Sequence, residues 1–546
     1  MFAKLQSWYR STFGQALTGA ALYWAALPPL GLWPLAWIAP VCWVLLIRRN
    51  ELSGKRPYRT LWLVGFIFWM VTMQWLRLPH WATSFGWVAM SFYLAFYLPL
   101  FIGIARVAVY RLHVPLILAA PVTWTGLELA RAYVLTGMTM ASLGHTQYQW
   151  ITLIQISDLS GVLGVGFVMM FTSACIARML PTDNRSFAYW PIVPALALMI
   201  ATLTYGQHRL DEQQSESCVR VALIQGSIDT ELKSDPNKRT EIFRHYFDLS
   251  KTVADKDQVD LIVWPETMFR ETLVCFDQDA KPPENCGLSR KEFLERLELI
   301  SQSTKNSIAL TVKALKAPMI LGIDAARYKS DGIDCYNSAI LVDRQGNVTD
   351  RYDKIHLVMF GEYVPFSHCF PWLLRLTPLN TSLRAGAQPI AFDVNGLKFV
   401  PSICYETVLS RVIRRQVNEL HAQGQKADVL VNLTNDGWFW GSSELDLHMI
   451  CGVFRAVECR MPLLIAANTG FSAWIDGSGR IVEQGPRRAK GTIVANVCAD
   501  RRSSWYLTHG DVLPGICLIL CILWATIGCC LSIRDRPEPE FTHEFC

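Results

Sequence analysis

Charge is scarce in this chain. Asp, Glu, Lys and Arg make up 18% of its 546 residues, against 51% hydrophobic ones, whereas soluble domains carry about 25% charged residues. An ordinary soluble enzyme is therefore a poor description. The net charge of +5 is small, and there is no Lys/Arg-rich run interleaved with aromatics, so a nucleic-acid groove is not expected. No Cys/His set has zinc-type spacing. His356, His368 and His448 are scattered and read as structural or solvent-facing, so neither metal nor cofactor is expected. Internal repeats and long low-complexity tracts are also missing. What is plentiful is tryptophan, 20 residues, which suits a chain with many membrane–water boundaries.

The charge that exists is unevenly placed. Residues 12–205 are almost continuously apolar, 218–505 are mixed, and 511–533 are apolar again. A helix needs about 20 apolar residues to cross the hydrocarbon core. The apolar runs predict spans near 12–28, 32–47, 60–77, 86–105, 113–130, 159–177, 189–205 and 511–533. The first two are short and flank Pro28-Pro29, so a re-entrant hairpin is an alternative there. The first is read as uncleaved, because further apolar runs follow it. Segment 137–155 is too polar to span and is expected at the interface or lining a cavity.

Basic residues set the orientation. One side of the spans carries Lys4, Arg10, Arg48, Arg49, Lys55, Arg56, Arg59, Arg106, Arg111, Arg178, Arg185, Arg534 and Arg536, and the other only Arg77 and Arg131 in its short loops. That bias predicts both termini inside and 218–505 outside, which in a bacterium is the periplasm. Glu128 and Arg131, one helical turn apart, read as a local ion pair or a lipid-headgroup contact. The spans lack the paired charges of a solute path, which argues against a transporter.

Residues 218–505 alternate β-rich apolar runs (219–228, 260–265, 318–323, 338–343, 398–403, 428–433, 462–467, 473–475) with helical patterns (240–254, 289–303, 408–423, 445–460). Such alternation predicts an α/β layered domain. Residues 275–289 read as a surface insertion, and the tail from Arg534 as disordered. Cys218, Cys275, Cys286, Cys335, Cys369, Cys451, Cys459 and Cys498 accompany Cys404 in this region. Their even number is compatible with disulfides outside the cell, with Cys275–Cys286 the first pair to expect.

Three motifs carry chemistry. Leu261-Ile-Val-Trp-Pro-Glu266 puts a carboxylate at a strand end, where desolvation suits a general base. Arg351-Tyr-Asp-Lys354-Ile-His-Leu357 offers an ammonium that could stabilise an oxyanion. Val400-Pro-Ser-Ile-Cys404-Tyr-Glu406 puts a thiol at a strand-to-helix turn, where a helix N-terminus would favour thiolate. Taken singly, each is ordinarily a packed or solvated side chain. Together they are the parts needed to make and break a thioester.

In that order, and with Asn432-Leu-Thr-Asn-Asp436-Gly-Trp-Phe439 downstream, these motifs resemble the nitrilase (carbon–nitrogen hydrolase) family. The flanking spans narrow the resemblance to its apolipoprotein N-acyltransferase branch, over nearly the whole chain. The resemblance implies a multi-span helical membrane domain (1–210, seven spans), a nitrilase-like αββα sandwich (218–505) facing the periplasm, a C-terminal span (511–533) and a cytoplasmic tail (534–546), in a bacterial inner membrane. It implies Glu266 as base, Lys354 as oxyanion-stabilising amine and Cys404 as nucleophile, with Glu362, in Phe360-Gly-Glu362-Tyr-Val-Pro365, and Tyr405 and Glu406 in support. It further implies a phospholipid acyl donor and a diacylated lipoprotein acceptor. The family pattern has Trp where Ser234 stands, which puts one aromatic contact in question. Large apolar residues in 364–376, among them Phe366, Phe370, Trp372, Leu373 and Leu374, read as a membrane-dipping arm or as core. Trp438, Phe439 and Trp440 read as pocket lining. The alternative activity is a membrane-anchored amidase or nitrilase acting on a small amide.

Overall fold

The computed structural model describes Trp8 and residues 11–181, 186–212, 218–283, 286–367, 369–370, 372 and 382–534, without the side chains of Glu231, Ser234, Pro236 and 532–534. His368, Leu373, Leu374, the Ser234 side chain and the tail beyond Arg534 lie outside that set.

Each apolar run folds as helix. They are α1 (Thr12–Ala26), α2 (Ala39–Arg48), α3 (Pro57–Thr72), α4 (Thr83–Leu94) with α5 (Tyr97–Tyr110), α6 (Leu116–Tyr133), α7 (Ser157–Met179) and α8 (Ile192–Asp211), and the last run forms the final helix, Val512–Arg534. Three stretches among the described residues are long and apolar enough to cross a membrane, Thr83–Tyr110, Ser157–Met179 and Val512–Leu531. The first two predicted spans are short helices joined through a turn at Pro28-Pro29, and α1 packs on both α2 and α3.

Segment 137–155 is mostly buried, His145, Thr146 and Gln147 among it, and it meets the sandwich where Thr139 Oγ1 donates to the Val408 carbonyl. Gln147 accepts from Trp37 Nε1 at 3.0 Å and donates to the Trp33 carbonyl. The Leu143 N–H donates to Glu128, and Arg131 donates to Ser142 Oγ at 2.8 Å. Glu128 and Arg131 are buried and 3.3 Å apart. The ion-pair reading therefore holds over the headgroup contact, since the pair clamps this irregular segment and satisfies backbone groups that lipid could not.

The mixed region is an αββα sandwich. Its strands are β1 (Cys218–Gln225), β2 (Leu261–Val263), β3 (Phe269–Phe276), β4 (Met319–Tyr328), β5 (Ile333–Val342), β6 (Val348–Asp353), β7 (Phe392–Val394), β8 (Leu397–Ile403), β9 (Val429–Thr434), β10 (Leu463–Ala467), β11 (Ala473–Ile475), β12 (Ile481–Gln484) and β13 (Gly491–Cys498). One sheet runs β13-β1-β2-β4-β5-β6, with β3 also on β4; the other runs β12-β11-β10-β9-β8-β7. Their inner faces meet through Val221, Leu223, Val263, Phe399, Ile403 and Val431. The first sheet's outer face is covered by α9 (Arg239–Lys256) and α10 (Arg290–Leu315), through Ile242, Tyr246, Ile308 and Val312. The central strands are buried on both faces, which explains their continuous apolar runs.

The second sheet's outer face is covered by α11 (Ser410–Ala422) and α12 (Glu444–Cys459). That layer shares one apolar core with the membrane helices, from Ala16 and Trp43 to Val453 and Ile465. The expected Cys275–Cys286 bridge is absent: both thiols are free and exposed. Instead Cys218 bonds Cys498 across 280 residues. The two face each other in the antiparallel β1/β13 register, so sheet pairing, not sequence proximity, decides the partner.

Candidate active site

The three motifs converge where the β2, β6 and β8 strand ends meet. Past β2, Trp264 is buried against Tyr246 and Phe243, and its Nε1 donates to Ser250 Oγ. This anchors the turn that presents Glu266, whose carboxylate accepts from Asn337 Nδ2 at 2.6 Å and from the Asn435 N–H at 3.0 Å.

Lys354 follows β6 and is 1% exposed. Its Nζ lies 2.8 Å from Glu362 Oε1 and 4.0 Å from Glu266 Oε1. Glu362 also accepts from the Val358 N–H and from Asn337. Asn337 thus holds both carboxylates around one ammonium.

Cys404 ends the β8 run with φ +52, a left-handed conformation that strains a residue bearing a Cβ by about 1–3 kcal/mol. Next to it, the Glu406 carboxylate accepts from Tyr352 OH and from the N–H groups of Ile355, His356 and Ile403, at 2.7–2.9 Å. It therefore ties the Lys354 loop to the Cys404 turn. Tyr405 OH donates to the Gly137 carbonyl at 2.9 Å, which joins that turn to the membrane region.

Electrostatics follow from burial. Desolvation raises the Glu266 pKa; Lys354 opposes and Glu362 adds to the rise. Burial works against the Lys354 charge, but Glu362, Cys404 and Glu266 outweigh it and hold the ammonium above its ordinary value. The expectation of a helix-stabilised thiolate at Cys404 is overturned. The residue opens a single 3-10 turn (Cys404–Val408), and burial, then Glu266, push the thiol well up. Both shifts favour the neutral thiol and a more basic carboxylate beside it.

For His448 the structural reading holds and the solvent-facing one does not. It is buried on α12, with Nδ1 3.1 Å from Asp436 Oδ1 and Nε2 3.2 Å from the Cys404 carbonyl. Burial opposes its charge, but Asp436 and the carbonyl outweigh burial and raise the imidazole pKa. Asp436, Glu444 and His448 bring possible metal-ligand atoms within 4.8 Å of one another. However, both ring nitrogens of His448 already face hydrogen-bond partners, Asp436 and the Cys404 carbonyl, which leaves neither free for a metal. His356 is driven the other way, to about 4, by burial and then by Arg411 and Lys354.

Sequence reasoning missed Asn337 and Asn435 as partners of Glu266. Asn435 lay inside a quoted motif; for Asn337 the one available signal was an amide at the start of a buried apolar run.

Around this geometry, Phe439 packs edge-on against Trp75 of the membrane region at 5.2 Å. Trp438 and Trp440 are exposed, as are Phe366, Phe370 and Trp372, so that part of 364–376 is not core.

Two family models match the chain. Residues 19–175 match the apolipoprotein N-acyltransferase N-terminal domain, and residues 220–506 match carbon–nitrogen hydrolase. A Rhodopirellula baltica protein named apolipoprotein N-acyltransferase is 31% identical, with 95% of this chain and 97% of that relative covered. The chain belongs to the apolipoprotein N-acyltransferase family. A second relative of the same name, from Geobacter metallireducens, is 30% identical, with 96% of each chain covered. Among solved structures, an amidase from Nesterenkonia sp. is 16% identical, with 55% of this chain and 95% of that one covered, at a TM-score of 0.35. The chain is thus a membrane acyltransferase whose polar half has the nitrilase-type sandwich.

Proposed function

We propose that the enzyme moves a fatty acyl chain from a membrane phospholipid to the N-terminal amine of an S-diacylglyceryl-cysteine on a lipoprotein. The observation that carries this is the buried Glu266–Lys354–Glu362 cluster beside the strained Cys404, on a face continuous with the membrane helices.

In the first half, Glu266 takes the Cys404 proton and the sulfur attacks an ester carbonyl. Lys354 donates to the oxyanion. Collapse breaks the ester C–O bond; the lysophospholipid oxygen leaves with the proton from Glu266, and a thioester remains on Cys404. In the second half, the acceptor amine attacks the thioester carbonyl and Glu266 takes its proton. The C–S bond breaks, the thiol is re-formed and an amide results. Glu362 keeps Lys354 charged and aimed; Glu406 and Tyr405 fix the loops that carry lysine and thiol.

The catalytic part faces outward from a bacterial inner membrane. Two features support this: the basic-residue bias, and the Cys218–Cys498 bond, since such bonds persist in oxidising compartments. The domain limits that go with this reading are 1–210, 218–505, 511–533 and 534–546, with the last segment cytoplasmic. The exposed Phe366, Phe370 and Trp372 fit an arm in the lipid surface that keeps water from the thioester.

The test is direct. Purified protein is incubated with phospholipid, and the Cys404 peptide is weighed by mass spectrometry. An acyl adduct that disappears when a lipoprotein acceptor is added is expected. Small-amide hydrolysis without any adduct would replace this reading with the amidase one.

A further inference from the structure

Several basic side chains on the sandwich surface meet a carboxylate at 3.0 Å or less: Arg220 with Asp257, Arg327 with Asp277, Arg384 with Asp334, Arg487 with Asp446, Arg488 with Asp229. Lys233 and Arg270 are different, and they sit beside Glu266. The Lys233 ammonium donates to Thr267 Oγ1, a neutral acceptor on the residue after Glu266. Arg270 spends Nη1 on the Thr267 carbonyl at 3.3 Å and Nη2 on the Lys233 carbonyl at 3.2 Å. Its nearest carboxylate, the half-exposed Asp324, is 3.9 Å away, and its Nε is buried without a partner among the described residues. One turn of chain thus holds two cations next to the reacting groups, with hydrogen-bond capacity left over. A buried N–H of this kind costs about 1–3 kcal/mol if nothing fills it, so a missing acceptor is indicated.

That acceptor is anionic. Burial pushes the Lys233 amine down to about 8 despite Glu266, which leaves it mostly charged at neutral pH, and burial also lowers the Arg270 guanidinium while Asp324 opposes. Both groups gain from a negative partner. The acceptor lipoprotein presents an ammonium to the site, which two cations repel. A phospholipid presents a phosphodiester a few glycerol atoms from the ester under attack, and the leaving lysophospholipid takes it away again.

We propose that Lys233 and Arg270 form the subsite for the donor's phosphodiester and so select phospholipid over neutral acyl esters. This rests on the acyl-transfer reading above, and it adds where the headgroup is held.

The test compares Cys404 acylation in single turnover from phosphatidylglycerol and from diacylglycerol in the same detergent. The wild type favours phosphatidylglycerol by about tenfold or more, the scale of a lost charge-assisted pair. In Lys233→Met/Arg270→Met that ratio collapses toward one, and Lys233→Arg with native Arg270 restores it. An unchanged ratio in the double variant overturns the proposal, as does an equal slowing of both donors. Inorganic phosphate at millimolar concentration separates a lipid site from a free-phosphate site. No slowing of the wild type is expected, whereas a slowing lost in the double variant overturns the assignment to the donor. Binding of water-soluble dihexanoylphosphatidylglycerol to Cys404→Ala protein, by calorimetry, is expected to weaken about tenfold on adding Lys233→Met/Arg270→Met. If neither lipid acylates wild-type Cys404, the acyl-transfer reading falls, and this binding measurement alone decides the subsite: equal affinity sinks it.

Discussion

Two regions of this molecule bury charge, and they do so in opposite ways. At the seam between membrane helices and sandwich, Asp158 accepts from Arg460 at 2.6 Å, Arg209 at 2.8 Å and Tyr205 OH at 2.8 Å. Nearby, Glu458 accepts from Arg455 and from the Val162 N–H that follows the break at Gly161. Arg460 also binds Gln155 and reaches the Gly477 carbonyl. Each charge there is fixed by several partners. In the site, Lys354 has one close carboxylate, and Glu266 is held by two N–H donors. The seam is cross-braced, with Arg455 Nε as a buried donor lacking a partner among the described residues; the site keeps bonding capacity for groups that arrive during reaction.

The contrast breaks most cleanly at Cys404. Cys404→Ala should lower acyl transfer by about 10⁴-fold or more, because the reaction loses its covalent route. Its thermal unfolding in detergent should hardly change. Retained turnover would mean that the geometry around Cys404 has another purpose.

Asp158→Ala should do the reverse. It leaves Arg460 and Arg209 facing one another without their shared carboxylate, a loss of about 3–5 kcal/mol in stability. Unfolding should move down markedly, while Cys404 acylation per folded molecule stays near normal. A variant that unfolds normally but cannot acylate would erase the distinction between the two regions.

A smaller effect is expected at the far edge of the sandwich. Cys218→Ser with Cys498→Ser, or a reductant, should cost about 2–4 kcal/mol by releasing a 280-residue closure. If reductant leaves unfolding untouched, the two thiols are not paired in the folded enzyme.

The sequence made the site's chemistry legible but not its support. Glu266, Lys354 and Cys404 stand in local motifs, so their convergence needed only the expectation of strand ends meeting at one edge. Asn337 and His448 belong to no motif. One reaches Glu266 because β5 lies beside β6; the other reaches the Cys404 carbonyl because α12 docks its buried face under that turn. The Cys218–Cys498 pair escaped for the same reason, since the register of first and last strands is invisible to spacing. Likewise, the partners of the polar residues in 137–155, namely Trp33, Trp37, Glu128 and Arg131, come from distant or irregular segments that spacing does not reveal.

The pH dependence sharpens the site half of the comparison. A base must be deprotonated to act, and burial raises the Glu266 pKa. Acylation of Cys404 should therefore be full above that raised value and fall as pH drops through it. The loss should be about tenfold per unit, starting at higher pH than for an ordinary carboxylate. Glu266→Gln should abolish this limb along with most of the rate. A limb in the ordinary glutamate range would mean that water reaches the carboxylate.

The mildest expected effect concerns the rim, where neither kind of charge burial applies. Phe366, Phe370 and Trp372 are 67%, 53% and 57% exposed, an arrangement that water disfavours and a lipid surface rewards. Phe366→Ser/Phe370→Ser/Trp372→Ser should reduce acylation from vesicle phospholipid by about fivefold, a fraction of the transfer free energy of three aromatic side chains. The same variant should react normally with a short-chain donor that is soluble in water. Because these residues make no part of the charged cluster, the acid limb set by Glu266 should stay in place, which separates weakened lipid access from damaged chemistry. Unchanged rates in vesicles would remove the arm from the mechanism and leave the three aromatics as surface without a lipid role.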